Sequence, residues 1–131
     1  MKQITKVGMA IIDNHKLLVV KEKGWQLFGV PGGTIKENET EIQCLTREMQ
    51  EELQIRPKSM RFLGSYSDSA MNEPSTIINI KLYQVKPNSI PRKTPEILDM
   101  KWFDSNSDIN LLGPCDRNKI IPDLVKRGII E

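Results

Sequence analysis

Residues 33–55 of this chain read GTIKENETEIQCLTREMQEELQI, and this stretch decides the fold that we predict. Within it, Glu48, Glu51 and Glu52 are spaced so that a helix would place their carboxylates on one face, with Cβ atoms about 5–6 Å apart. Like charges at that separation repel each other by roughly 0.2–0.5 kcal/mol per pair, and no lysine or arginine stands four residues after Glu48. A divalent cation would relieve the repulsion, since Mg²⁺ prefers carboxylate oxygens and commonly completes its shell with substrate phosphates.

The order of the residues around these glutamates distinguishes the stretch from an ordinary solvated helix face, which three glutamates alone would favour. The fixed positions are Gly33, Glu39, Arg47, Glu48, Glu51 and Glu52, with apolar residues at Met49 and Ile55. This order resembles the Nudix box, the signature of the Nudix hydrolase family. One position departs from it, because Gln54 stands where the family usually has a glycine at the helix C-terminus. A left-handed conformation would cost Gln54 about 1 kcal/mol, so we predict a differently closed turn there.

The resemblance implies an α/β fold, an α/β/α sandwich in which a mixed β-sheet is flanked by helices. A length of 131 residues agrees with one domain, so residues 1–131 are predicted to form a single Nudix hydrolase domain. Apolar and β-branched runs predict strands at residues 4–12, 17–20, 60–66, 76–85 and 96–103, the first two paired as a hairpin around a short polar turn, and a final helix at 120–127. An apolar stripe beside the glutamates is predicted to dock the box helix. The box helix is predicted to start near Asn38, which would cap it while Glu41 reaches back from the third helical position.

The composition describes an ordinary globular protein, with 38% hydrophobic and 27% charged residues and a formal net charge of +2. The sequence has no block of basic residues, so we do not expect a nucleic-acid polymer as a partner. The chain has no signal-like apolar region near Met1 and no run of 18 apolar residues, which predicts a cytoplasmic protein without a membrane partner. Cys44 and Cys115 are isolated, so we interpret both as reduced packing thiols. A monomer and a homodimer both remain open.

The resemblance further implies an enzyme that hydrolyses a phosphoric anhydride bond in a nucleoside diphosphate linked to another group. Its cofactor would be Mg²⁺, with Mn²⁺ as a substitute. The cation would neutralise phosphate oxygens, position the substrate and lower the pKa of a water molecule. By motif position, Glu51 and Glu52 are the main implied ligands, and Glu48 is a ligand or the general base. The carbonyl of Gly32 is a further implied ligand, and Glu96 is an additional metal-binding or catalytic glutamate outside the box.

Two other box residues are expected to support this site. Arg47 is placed to orient the carboxylates, because its spacing to Glu51 permits a pair between positions i and i+4. We therefore include Arg47 with the three glutamates in the predicted catalytic set. Glu39 either holds the preceding loop to the helix or is simply an acidic residue in the first helical turn.

Substrate recognition requires a flat apolar wall and hydrogen-bonding groups for a nucleobase. Candidate walls are Phe28, Tyr66, Tyr83 and Trp102, although each is also explained by core packing. Asp116 follows a proline and a small residue, where MutT-type members of the family read a purine edge, and Asn118 is the second candidate. The alternative for Asp116 is a helix N-cap.

The leading prediction is a MutT-like nucleoside triphosphate pyrophosphohydrolase, with oxidised nucleotides among its potential substrates. The loop from Trp25 to Gly33 is similar to that of small MutT-like and ADP-ribose-cleaving members. ADP-ribose or a nucleotide sugar is therefore the alternative substrate. An alternative from another class of function is a Nudix-like regulatory domain that binds a ligand without hydrolysing it. Such a domain would be expected to have lost one or more of the glutamates.

Overall fold

The computed structural model describes residues 2–131. Its strands are β1 (Gln3–Asp13), β2 (Lys16–Glu22), β3 (Gly32–Thr34), β4 (Pro57–Ser69), β5 (Ile77–Pro87) and β6 (Ile97–Phe103). Its helices are α1 (Glu41–Leu53) and α2 (Ile121–Lys126), and α2 is preceded by a π-helical turn over Asp116–Ile120. Within residues 2–131, no helix is both long enough and apolar enough to cross a membrane.

The strands form a mixed sheet in the order β4-β5-β1-β2-β6, with β3 paired to β1. β1 and β5 run parallel, whereas the other pairs are antiparallel. β1 and β2 are joined by a tight hairpin because Asn14 and His15 both adopt positive φ, at 54° and 60°. Such a turn matches the twist of the two strands. The predicted hairpin is confirmed.

The two faces of the sheet bury different sets of side chains, because successive residues of a strand point to opposite sides. One core cluster joins Val7, Met9 and Ile11 of β1 to Leu45 and Met49 of α1. On the opposite face, residues of β1 and β2 pack against the C-terminal helical segment. This cluster includes Ala10, Leu17, Val19, Ile120, Ile121 and Leu124. The predicted α/β/α arrangement around a mixed sheet is therefore confirmed.

The predicted start of the box helix is wrong, because Thr40 and not Asn38 is the N-cap. The Gln43 N–H donates to Thr40 Oγ1 at 3.1 Å, and the Thr40 N–H donates to Gln43 Oε1 at 2.9 Å. These reciprocal bonds form a capping box and satisfy two backbone donors. Asn38 instead lies in the preceding turn with φ at 63°.

The end of α1 also differs from the prediction. Gln54 adopts the left-handed conformation that we expected it to avoid, with φ at 55° and ψ at 42°. Its neighbours Leu53 and Ile55 are 0% and 1% exposed, and their burial stabilises the turn by more than the roughly 1 kcal/mol that the backbone costs. Other elements differ mainly in extent: β4 is longer than predicted, and β3 lies at the end of a predicted loop.

Candidate active site

The two glycines at the start of the box bring the loop close to its neighbours. Gly32 has φ at 146°, and a Cβ atom there would lie 2.0 Å from the Val7 carbonyl oxygen. A Cβ atom on Gly33 would lie 2.2 Å from Glu48 Oε1. Real Cβ atoms do not approach other atoms so closely, so only glycine permits β3 to pair with β1 while Glu48 lies against the loop.

Arg47 binds three of the glutamates, and we refer to Arg47, Glu39, Glu48 and Glu51 as the Arg47 network. The guanidinium donates to Glu39 through Nε at 2.8 Å and through a terminal nitrogen at 3.0 Å. The other terminal nitrogen donates to Glu48 Oε1 at 2.8 Å and to Glu51 Oε2 at 3.3 Å. Glu39 also accepts from the Lys36 N–H at 3.0 Å, so it joins the loop to α1. Hydrogen bonds from Arg47 and Lys36 lower the pKa of Glu39 to about 2.

Two other carboxylates have no such partner, and we refer to Glu22 and Glu52 as the unpaired carboxylates. Glu52 is 1% exposed, and neither of its carboxylate oxygens has a hydrogen-bond partner in the described part of the chain. Oε2 of Glu22, at the end of β2, is likewise buried without a partner. Burial is the largest cause that raises the pKa of Glu52 to about 10, followed by the charges of Glu22 and Glu48. Burial also raises the pKa of Glu22.

This donor set fits a hard divalent cation, because buried carboxylate oxygens without partners are costly unless a positive charge joins them. Among residues 2–131, no three Cys, His, Asp or Glu side chains already stand in a geometry that would hold a metal ion. Two of the candidate ligands are instead paired with Arg47, since its guanidinium lies 2.8 Å from Glu48 Oε1 and 3.3 Å from Oε2 of the 45% exposed Glu51. Glu96 is exposed, and its charge contributes to the raised pKa of Glu22.

A cavity of about 210 Å³ opens on the other face of the sheet. Its lining includes Lys6, Trp25, Met71, Asn72, Gly113 and Asp116. Asp116 is 5% exposed, and its Oδ1 accepts the Val30 N–H at 3.0 Å. Burial raises the pKa of Asp116 to about 6. Because Cys115 holds the N-cap position of the π-helical turn and Asp116 binds a distant backbone group, the N-cap alternative for Asp116 is wrong.

Lys6 and Glu22 are site residues that sequence reasoning missed. Lys6 is 9% exposed, its Nζ donates to the Val30 carbonyl at 2.9 Å, and it lies 4.5 Å from the centre of the Trp25 ring. Its charge acts on Glu22, Glu52 and Asp116, so it lies between the carboxylates and the cavity. The available signal was a lysine directly before the apolar run of residues 7–12 in the central strand.

The remaining predicted substrate residues do not line this cavity. Phe28 is 5% exposed and belongs to the core on the α2 side of the sheet. The Tyr83 hydroxyl donates to Glu41 at 2.7 Å, on the α1 side. Asn118 donates to Asp68 at 3.0 Å. Of the other candidate walls, Tyr66 donates to Asp123, and Trp102 is 41% exposed on β6.

Comparison with known proteins identifies the same fold. The chain is 27% identical over 119 residues to the ADP-ribose pyrophosphatase of Methanocaldococcus jannaschii, with 88% of this chain and 69% of that protein covered. It is 25% identical over 130 residues to the NAD-capped RNA hydrolase NudC of Vibrio atlanticus, covering 94% of this chain and about half, 47%, of that relative's length. The solution structure of the E. coli ORF135 protein superposes with a TM-score of 0.76 at 21% identity, covering 97% of this chain and 92% of that one.

The mixed sheet between two helical layers, with its acidic helix following a glycine loop, defines a Nudix-fold protein. A family model described as the NUDIX domain matches residues 2–119, and the chain therefore belongs to the Nudix hydrolase family. Hydrolases of this family act on pyrophosphate bonds and generally use divalent cations.

Proposed function

We propose that this enzyme is a Mg²⁺-dependent nucleoside triphosphate pyrophosphohydrolase, which releases a nucleoside monophosphate and pyrophosphate. The observation that carries the proposal is the buried carboxylate of Glu52, whose two oxygens have no partner, in a protein that also has a cavity lined in part by Trp25. An acidic site of this kind would repel a polyphosphate unless a cation joined the two. The cavity supplies the apolar surface that a nucleobase requires.

Several residues of this chain would hold the cation. Glu52 and Glu48 are the leading ligands, and Glu51, the Gly32 carbonyl and Glu96 are the further candidates. When bound, Mg²⁺ would supply positive charge for the phosphate oxygens and a water molecule of lowered pKa. Because Arg47 donates to Oε1 of Glu48, Oε2 is the oxygen left for Glu48 to act either as a ligand or as the base that accepts a proton from the attacking water.

We assign recognition of the nucleobase to the cavity. Trp25 and Met71 offer an aromatic face and a polarisable thioether, which pack well against a flat ring. Asp116 and Asn72 offer hydrogen-bonding groups for its edge. Phe28, Tyr83 and Asn118 lie outside the cavity, so we give them no direct contact with the base.

ADP-ribose or a nucleotide sugar is the second candidate substrate. It is favoured by the 27% identity to the ADP-ribose pyrophosphatase of Methanocaldococcus jannaschii. A regulatory domain without hydrolytic activity has no observation in its favour, because Glu48, Glu51 and Glu52 are all present.

The decisive experiment is a substrate panel assayed with and without Mg²⁺. The panel contains canonical and oxidised nucleoside triphosphates, ADP-ribose, nucleotide sugars and dinucleoside polyphosphates, with Glu52→Gln as the blank. We expect cation-dependent release of pyrophosphate from a triphosphate, with kcat/KM about 100-fold above that for ADP-ribose. Faster cleavage of ADP-ribose to two monophosphates would establish the second candidate instead. Absence of cation-dependent products from every compound would reject both.

A further inference from the structure

Glu22 lies outside the box, yet the fold directs it toward the box helix. It follows Leu18 and Val20 in β2 at the two-residue spacing that keeps side chains on one face, and both of those residues pack in the core on the α1 side. The pairing of β2 with β6 shifts between Lys21 and Glu22, so that Glu22 pairs with Ile97. Bulges of this kind commonly re-aim a side chain beside an active site.

The surroundings of Glu22 do not neutralise it. Its Oε2 is buried without a hydrogen-bond partner, as are both oxygens of Glu52, which faces it. Lys6 is the nearby cation, but its Nζ donates to the Val30 carbonyl and lies over the Trp25 ring. Among the ion pairs within 4.0 Å in residues 2–131, none includes Lys6. Two carboxylates thus meet in the interior with three oxygens unsatisfied.

We propose that Glu22 is a ligand of the divalent cation, which it shares with Glu52. The inference rests on the proposed function, since it concerns the cation that this function requires. A cation between the two side chains would satisfy the three buried oxygens at once, which no neighbouring protein donor does. The site would then combine a ligand from β2 with ligands from α1, so that cation binding would link this strand to the box helix.

The test measures Mn²⁺ binding directly, by the electron paramagnetic resonance signal of the free ion, without any substrate. We compare wild type with Glu22→Gln, which removes the charge, and with Glu22→Asp, which keeps the charge but shortens the side chain by one methylene. Glu37→Gln is the matched control, because Glu37 is exposed in the box loop. We expect both Glu22 variants to bind Mn²⁺ at least about 10-fold more weakly, and the control to bind like wild type.

Melting temperatures without and with Mn²⁺ separate a ligand from a structural residue. If Glu22 is a ligand, Glu22→Gln melts at or above the wild-type temperature without metal and gains less from added Mn²⁺. A metal-free melting temperature that falls, with unchanged Mn²⁺ affinity, would overturn the inference in favour of a structural contact with Lys6. If Glu22→Asp binds Mn²⁺ as tightly as wild type, the inference is overturned, because the charge of Glu22 would then attract the cation from a distance without binding it directly. If either result is found and Glu52→Gln loses Mn²⁺ binding, the inference about Glu22 fails but the proposed function stands. If the wild-type protein binds no Mn²⁺, both the inference and the proposed function fail.

Discussion

The Arg47 network and the unpaired carboxylates both bring glutamates together beside α1, yet their electrostatics are opposite. Hydrogen bonds from Arg47 lower the pKa of Glu39 to about 2, whereas burial raises the pKa of Glu52 to about 10. Glu48 belongs to the network but also faces Glu52. The difference teaches that acidic residues within a single motif divide into a part that is internally satisfied and a part that still requires a positive charge.

The largest expected effect distinguishes two adjacent residues of α1. Glu52→Gln is expected to lower cation-dependent turnover by about 1,000-fold, because it would remove the buried carboxylate that we propose as a ligand of the cation. Glu51→Gln is the matched control, and we expect it to lose less than about 10-fold, since that side chain is 45% exposed and already bound to Arg47. Initial rates at saturating Mg²⁺ provide the measurement. If the two variants lose the same amount of turnover, the proposed difference between the Arg47 network and the unpaired carboxylates is wrong.

Arg47→Met is expected to have an intermediate effect. The substitution keeps much of the apolar stem but leaves Glu39 and Glu48 without their donor, so the carboxylates repel each other and Glu48 loses its orientation. We expect kcat to fall by about 10- to 100-fold, the range observed when a residue that orients a ligand is removed. The melting temperature should fall as well. Unchanged kcat would show that Glu48 is positioned without Arg47.

The smallest expected effect is a change in acid stability. The pKa of Glu39 is lowered from 4.5 to about 2, so its contribution to stability is fully present above pH 4.5 and is lost as the pH falls toward 2. Glu39→Gln should therefore have a lower melting temperature than wild type at pH 7, and the two should converge near pH 2. Thermal unfolding across this range checks the prediction. Parallel curves for the two proteins would show that Glu39 does not titrate as the network requires.

The sequence predicted the parts of this molecule that depend on local spacing. The positions of Glu48, Glu51 and Glu52 and the apolar stripe of α1 follow from the helical period, and the hairpin between β1 and β2 follows from two apolar runs around a polar turn. The start of α1 was ambiguous, since Asn38 and Thr40 are both good caps. Each has a partner for a capping box three positions later, Glu41 or Gln43, and only the structure shows that the pair of Thr40 with Gln43 forms.

Other features could not be read from local spacing. The contribution of Glu22 depends on the sheet holding β2 beside α1, and that of Lys6 depends on Val30 lying beside β1. Both are products of strand register. The carboxylate of Asp116 likewise finds its partner 86 residues away along the chain, so its position could not be separated from a helix cap before the fold was known.

The parallel pairing of β1 with β5 sets the order in which this chain can fold. Gln3 pairs with Ile77 and Ile11 with Val85, so the central strand reaches this partner only by closing a long loop. Contacts of such long range slow folding, whereas the capping box at Thr40 nucleates α1 from neighbours. The acidic helix is therefore expected early and the cavity between Lys6 and Asp116 late. A half-folded chain would carry its helical carboxylates before the cavity had formed.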